Sequence, residues 1–265
     1  MKRWGLLGLA VLLVLAIAAC GKKDAGAGGK VYKFATDAAY SPMEMMDKDK
    51  IVGFDADFLD AVMKEAELDY TLTNTGWDPM LISVKDGKEY DGGISSVSIT
   101  EDRKKDYDYS IPYFESTNMI MSKKDSGVKS ALDIKDKKVA VQTGTTADII
   151  MSELMGKNNG NLKRFDNNTL AFMDMDKGGV DAVVADIAIV REYLKQNPNK
   201  NYEGTLDPEH FSSEFYGILL PKGSELKAKL DPAIKKVLEN GKYVEIYKKW
   251  MGEEPNVQNV LNAKA

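Results

Sequence analysis

"GGISSVSITEDRKKDYDYSIPYF", residues 92–114, opens as a buried strand and turns abruptly into a run of charge. Arg103, Lys104 and Lys105 gather in what reads as the first turn of a helix. A cation is mildly unfavourable there, because a helix presents the positive end of its dipole at its N-terminus. Something repays that placement, and the sequence just before it suggests what. Arg103 stands at the end of a strand, directly after Ser98 and Thr100, and a guanidinium can fork onto a carboxylate; a solvated cation in a charged run is the alternative.

Working outward, strand and helix alternate. "KVYKFATD" (30–37) reads as a strand, and "GFDADFLDAVMKEAEL" (53–68) as a helix with Phe58, Leu59, Val62, Met63 and Ala66 on one face and Asp55 as its cap. "DYTLTNTG" (69–76) is a strand, "WDPMLISVKDG" (77–87) a helix and "YDGGISSVSI" (90–99) a strand. Strands follow at 117–124, 137–144 and 180–186, with helices at 145–156, 169–178 and 187–197. A late strand, 212–223, precedes two closing helices that Asn240 and Gly241 divide. The pattern predicts an α/β chain with mostly parallel sheets, in two halves of about a hundred residues each.

The composition allows a large core: 265 residues, 43% hydrophobic and 29% charged. With a net charge of −5 and basic residues scattered in short groups, nucleic acid is not an expected partner. Lys2 and Arg3 precede an apolar stretch at residues 5–19 and then Cys20, the only cysteine. A run this short with a basic front and small residues at its end is an export signal, not a membrane span. "IAAC" around Cys20 resembles the lipobox of bacterial lipoproteins, which implies a lipidated N-terminus; a conventional signal with a chance cysteine is the alternative. "GKKDAGAGG" (21–29) reads as a flexible tether.

Four blocks then fall in one order: "FATDAAYSPMEMMDKDKIVGFDADF", "WDPMLISVKDGKEYDGGISSVSITEDRKKDYDYSIPYF", "VAVQTGTTADI" and "VDAVVADIAIV". Together they resemble the bacterial extracellular solute-binding proteins of polar amino-acid ABC importers, over about residues 30–252. The resemblance implies a two-lobed periplasmic binding protein fold (type II), with mixed, mostly parallel sheets and a two-segment hinge. It implies a signal peptide at 1–19, a lipidated Cys20 and tether at 20–29, lobe 1 at 30–115 plus 217–252, lobe 2 at 116–216, and a tail at 253–265. The crossings fall near residues 115–117 and 213–216.

The resemblance also implies site roles. Arg103, Ser98, Ser96 and Thr146 hold a ligand carboxylate, Thr146 from the start of a helix, where backbone N–H groups favour anions. Ser95 adds backbone contacts. Asp186, with Ser96, takes the ligand ammonium, although position alone reads equally as a helix cap. Asp37, Tyr40, Trp77 and Gln142 surround the ligand side chain and suit a polar or basic one, while Met43 and Met45 form an adaptable inner wall. The implied partners are a free L-amino acid, the permease subunits of an ABC transporter and, through the lipid anchor, a membrane; the protein acts as a monomer.

With one histidine, His210, read as a surface residue, and one cysteine, no catalytic triad, zinc site or other metal site is expected, and no cofactor. Two rivals stand beside transport. A cyclohexadienyl dehydratase uses the same fold, and there Asp37 or Asp186 serves as general acid; a lipid-anchored adhesin keeps the fold without a ligand.

Overall fold

The computed structural model describes residues 29–264. The export signal, Cys20 and the tether up to residue 28 lie outside the described residues.

Two five-stranded sheets form the frame. The first runs in the order Tyr70–Asn74, Tyr32–Thr36, Gly92–Gly93, Leu219–Pro221, Tyr107–Tyr109. The second runs Leu162–Phe165, Val139–Gln142, Ala182–Asp186, Asn118–Lys123, Tyr202–Thr205. Both are mixed. Tyr32–Thr36 pairs in parallel with both neighbours, while Leu219–Pro221 joins antiparallel from the end of the chain. A short antiparallel pair, Phe114–Ser116 with Glu214–Tyr216, carries the chain between the two lobes.

Alternation along the strands explains why helices cover both faces of each sheet. In the second lobe Val139, Val141, Ala182 and Val184 point to one cluster, while Ala140, Val183 and Ala185 point to another. The helices are α1 (Phe54–Glu65), α2 (Trp77–Asp86), α3 (Thr146–Met155), α4 (Asn168–Asp176), α5 (Ile187–Gln196), α6 (Lys227–Glu239), α7 (Lys242–Met251) and α8 (Val257–Asn262). In the first lobe α1, α6 and α7 pack together around Phe54, Phe58, Leu230, Ile234 and Tyr243. There α2 sets Trp77, Met80 and Val84 against Ala35 and Leu219 on the opposite face. Asn240 closes α6, and Gly241, at φ 88°, opens α7, as the sequence indicates.

Several local readings change. Asp55 does not cap α1: the cap is Gly53, whose φ of 137° and close approach to Met43 O leave no room for a side chain. Of the strand expected over 90–99, only Gly92–Gly93 joins the sheet ladder, with an isolated bridge from Ser98 to Tyr216. Arg103–Lys105 is a single 3-10 turn, so little dipole opposes its cations. Lys104 and Lys105 pair with Glu101 at 2.8 Å and Asp102 at 2.5 Å. Met43 is fully buried in the core of the first lobe, not in a cleft wall. His210 is half-buried, with Nδ1 2.8 Å from Asp207 Oδ2. Within the C-terminal stretch 253–265, α8 buries Val260.

Candidate functional site

Strand ends and helix starts from both lobes meet at one cleft, the usual ligand position in α/β sheets. Arg103, Ser96, Ser98, Thr146, Asp186, Asp37, Tyr40, Trp77 and Gln142 all line it, whereas Met43 and Met45 do not. Ser95 and Thr145 complete the lining.

At one end lies the guanidinium. Arg103 Nη1 donates to Ser98 O and Nη2 to Gly144 O, each at 3.0 Å, so the side chain spans from its own lobe to the loop before α3. Its Cζ lies 5.4 Å from the centre of the Trp77 ring, an attractive cation–π placement. The Trp77 Nε1 is buried without a partner among the described residues, leaving a donor at this end unused. Thr145 caps α3 by accepting from Asp148 N. Thr146 is therefore the first residue of α3, where an N–H has no acceptor inside the helix. Ser96 adopts a left-handed φ of 51°, fixed by Asp55: Ser96 N donates to Asp55 Oδ2 at 2.7 Å and Ser96 Oγ at 3.3 Å.

Opposite stands Asp186, at the junction of the strand Ala182–Asp186 and α5. It is the N-cap residue of α5 by position but accepts no capping bond there. Its Oδ2 accepts instead from Tyr40 OH at 2.7 Å and Tyr216 OH at 2.5 Å. Burial pushes the Asp186 carboxyl up, against the pull of the two tyrosine hydroxyls and Arg103. Tyr40 thus contributes a hydroxyl across the cleft as well as a ring.

The third corner is an amide–acid chain. Gln142 Nε2 donates to Asp37 Oδ2 at 3.1 Å, and Asn168 Nδ2 donates to Gln142 Oε1 at 2.9 Å. Burial raises the Asp37 carboxyl while the Gln142 bond holds it down. Sequence reasoning missed Asn168, which serves only through Gln142.

Beneath the serines lies a second acid pair. Ser95 Oγ accepts from Asp37 N and donates to Glu44 Oε1 at 2.7 Å, so its side chain, and not only its backbone, is engaged. Asp55 collects donors from Ser96 and Tyr113; burial raises it to about 6 even so. Glu44 accepts from Ser95 alone and shares a hydrogen bond with Asp55, and burial together with the nearby Asp55 charge pushes its carboxyl well above the carboxylate range. The donors on Asp55 bias the pair's proton towards Glu44. Among the described residues no group of three or more His, Cys, Asp or Glu is placed to hold a metal ion.

The sequence matches the family model of "Bacterial extracellular solute-binding proteins, family 3" over residues 32–253. The chain belongs to that family. A "Probable histidine-binding protein" of Neisseria gonorrhoeae is 38% identical over 96% of this solute-binding protein and 97% of its own length. The "Arginine-binding extracellular protein ArtP" of Bacillus subtilis is 31% identical over 96% and 100%. Among solved structures, the arginine-, lysine-, histidine-binding protein ArtJ from Geobacillus stearothermophilus superposes with a TM-score of 0.85 at 51% identity, covering 88% of this chain and all of that one. The family is extracellular and relatives are named as binding proteins of ABC transporters, so this chain is an exported binding protein and not an enzyme.

The acid pair makes a prediction about stability. Glu44 holds its proton in the folded chain at pH values where the unfolded chain has released it, so its contribution to stability is full in acid and lost as pH rises. Glu44→Gln removes that loss. Its unfolding free energy relative to the wild type should therefore climb by up to about 1.4 kcal/mol per pH unit from about pH 5 upward. Urea titrations at pH 5 and 7 check this, and a constant difference contradicts it.

Proposed function

We propose that this solute-binding protein is the receptor of an ABC importer for a basic L-amino acid, gripped between its two lobes. The carrying observation is the charge inventory of the cleft. One cation, Arg103, and two buried acids, Asp186 and Asp37, face the same space. A molecule with one carboxylate and two cationic groups complements that set, whereas a neutral zwitterion leaves an acid unmatched. Burying any of these charges alone is costly, so each needs its opposite.

In this reading the ligand carboxylate meets Arg103, Ser98, Ser96 and the start of α3 at Thr146. Its ammonium meets Asp186, with Ser96 beside it. The side chain runs between Tyr40 and Trp77 towards Asp37 and Gln142. Three of the relatives are named for histidine, arginine or lysine, which supports the same ligand class, while others are named for glutamine and cystine. Lobes at 30–115 plus 217–252 and 116–216 then move as bodies about the paired crossing strands. The cleft is closed to a cavity of about 20 Å³, little more than one water occupies. An amino acid enters only when the lobes part, and contacts from both sides form when they close. Outside the described residues, the export signal and Cys20 support a lipoprotein, here read as a monomer, with the tether leaving the receptor free to reach its permease.

A thermal-shift panel of the twenty L-amino acids tests the ligand class. Arginine, lysine or histidine should raise Tm most, since stabilisation grows as RT ln(1 + [L]/Kd); a panel in which none of the three shifts Tm contradicts it. Arg103→Ala should weaken binding of the best ligand by about 2–5 kcal/mol, read by calorimetry. Near-normal affinity removes Arg103 from the site.

A further inference from the structure

Glu214, on the crossing strand Glu214–Tyr216, lies against the anion-binding end of the cleft. Its Oε1 accepts from Asn118 Nδ2 at 2.5 Å and from Thr146 Oγ1 at 2.9 Å, and Asn118 Nδ2 also donates to Thr146 Oγ1 at 3.2 Å. Its Oε2 is buried without a partner among the described residues. A hydroxyl has one hydrogen and two acceptor positions. While Glu214 is ionised, the single hydrogen of Thr146 is therefore committed to it and cannot serve a ligand carboxylate.

We propose that Glu214 is a positioning residue that takes up one proton from solvent as the amino acid binds, so that neutral Glu214 donates to Thr146 Oγ1 and turns the Thr146 hydroxyl hydrogen towards the ligand carboxylate. This rests on the reading that the carboxylate docks at Thr146. In that state the Thr146 oxygen accepts from Asn118 and Glu214 and donates to the ligand, so all three of its capacities are used. The charged groups facing Glu214 set the direction. Asp186 opposes its ionisation, while Arg103 and hydrogen bonds from Ser98 and Thr146 favour it; burial outweighs these and pushes the carboxyl up to about 7. Asp102, Glu153 and His210 share the outer groove with it. Glu115, on the paired strand, is engaged elsewhere, by Ser213 and Asn259. A bound carboxylate adds a negative charge nearby and so favours the proton further.

Calorimetry of L-arginine binding to the mature chain, from pH 6 to pH 8 in buffers of different ionisation enthalpy, tests the coupling. Kd should weaken roughly tenfold between pH 6 and pH 8, with uptake approaching one proton per ligand at pH 8. Glu214→Gln should lose both the slope and the uptake. Carbon-13 NMR of the wild-type Glu214 carboxyl at pH 8 should move to its protonated position on adding arginine, a readout that needs no variant. Tight binding with a flat profile, with the same slope and uptake in Glu214→Gln, or with an unmoved carboxyl signal overturns the role of Glu214 alone. Absence of arginine binding at every pH overturns it together with the reading on which it rests.

Discussion

One guanidinium ties the two halves of this molecule together. Arg103 donates to Ser98 in its own lobe and to Gly144 in the other, and a fixed, planar fork of donors is what a carboxylate needs to replace either carbonyl. Tyr40 to Asp186 and Gln142 to Asp37 close the same cleft. Each of these is a polar contact between lobes, and in the proposed reading a ligand that carries charge at both ends exchanges for them one by one. On that proposal closure and recognition are a single event, since the groups that hold the lobes together would also satisfy the ligand.

The fold supplies this by placing strand ends and helix starts on one rim. Thr36 leads into Asp37, Val141 into Gln142 and Ala185 into Asp186, each from a strand whose last residues are buried on both faces. The acids therefore arrive on rigid supports with little side-chain freedom left to lose. The cost is a cluster of carboxyl groups in a small volume, Asp37, Glu44, Asp55, Asp186 and Glu214, all with raised pKa. The structure separates them by giving some, such as Asp55, several donors, and leaving others, such as Glu44, nearly none.

Much of this was legible in the sequence because it is periodic or local. The spacing of Phe58, Leu59, Val62 and Met63 marks α1, and the apolar runs at 139–142 and 182–186 mark central strands. The nine cleft residues were assigned by the family resemblance that four blocks in one order carry, not by any spacing along the chain. The edge strands Leu162–Phe165 and Tyr202–Thr205 escaped notice because Lys163, Arg164, Glu203 and Gly204 interrupt any apolar alternation. Asp55 reads as a cap because a cap is a local rule, whereas its real partner Ser96 is 41 residues away. Glu214 gave no signal at all: its partners Thr146 and Asn118 lie 68 and 96 residues earlier. Contacts of that kind follow from the packing of two lobes and not from any spacing along the chain.

The central claim is that opposite lobes hold opposite ends of one charged molecule. A crystal structure of the mature chain with L-arginine tests it most directly. The account requires the ligand carboxylate within about 3 Å of the Arg103 guanidinium and the α-ammonium within about 3 Å of Asp186, hydrogen-bonding distances for charged pairs. A bound arginine that touches only one lobe, or an Arg103 still bonded to Gly144 O with no carboxylate beside it, would contradict the account.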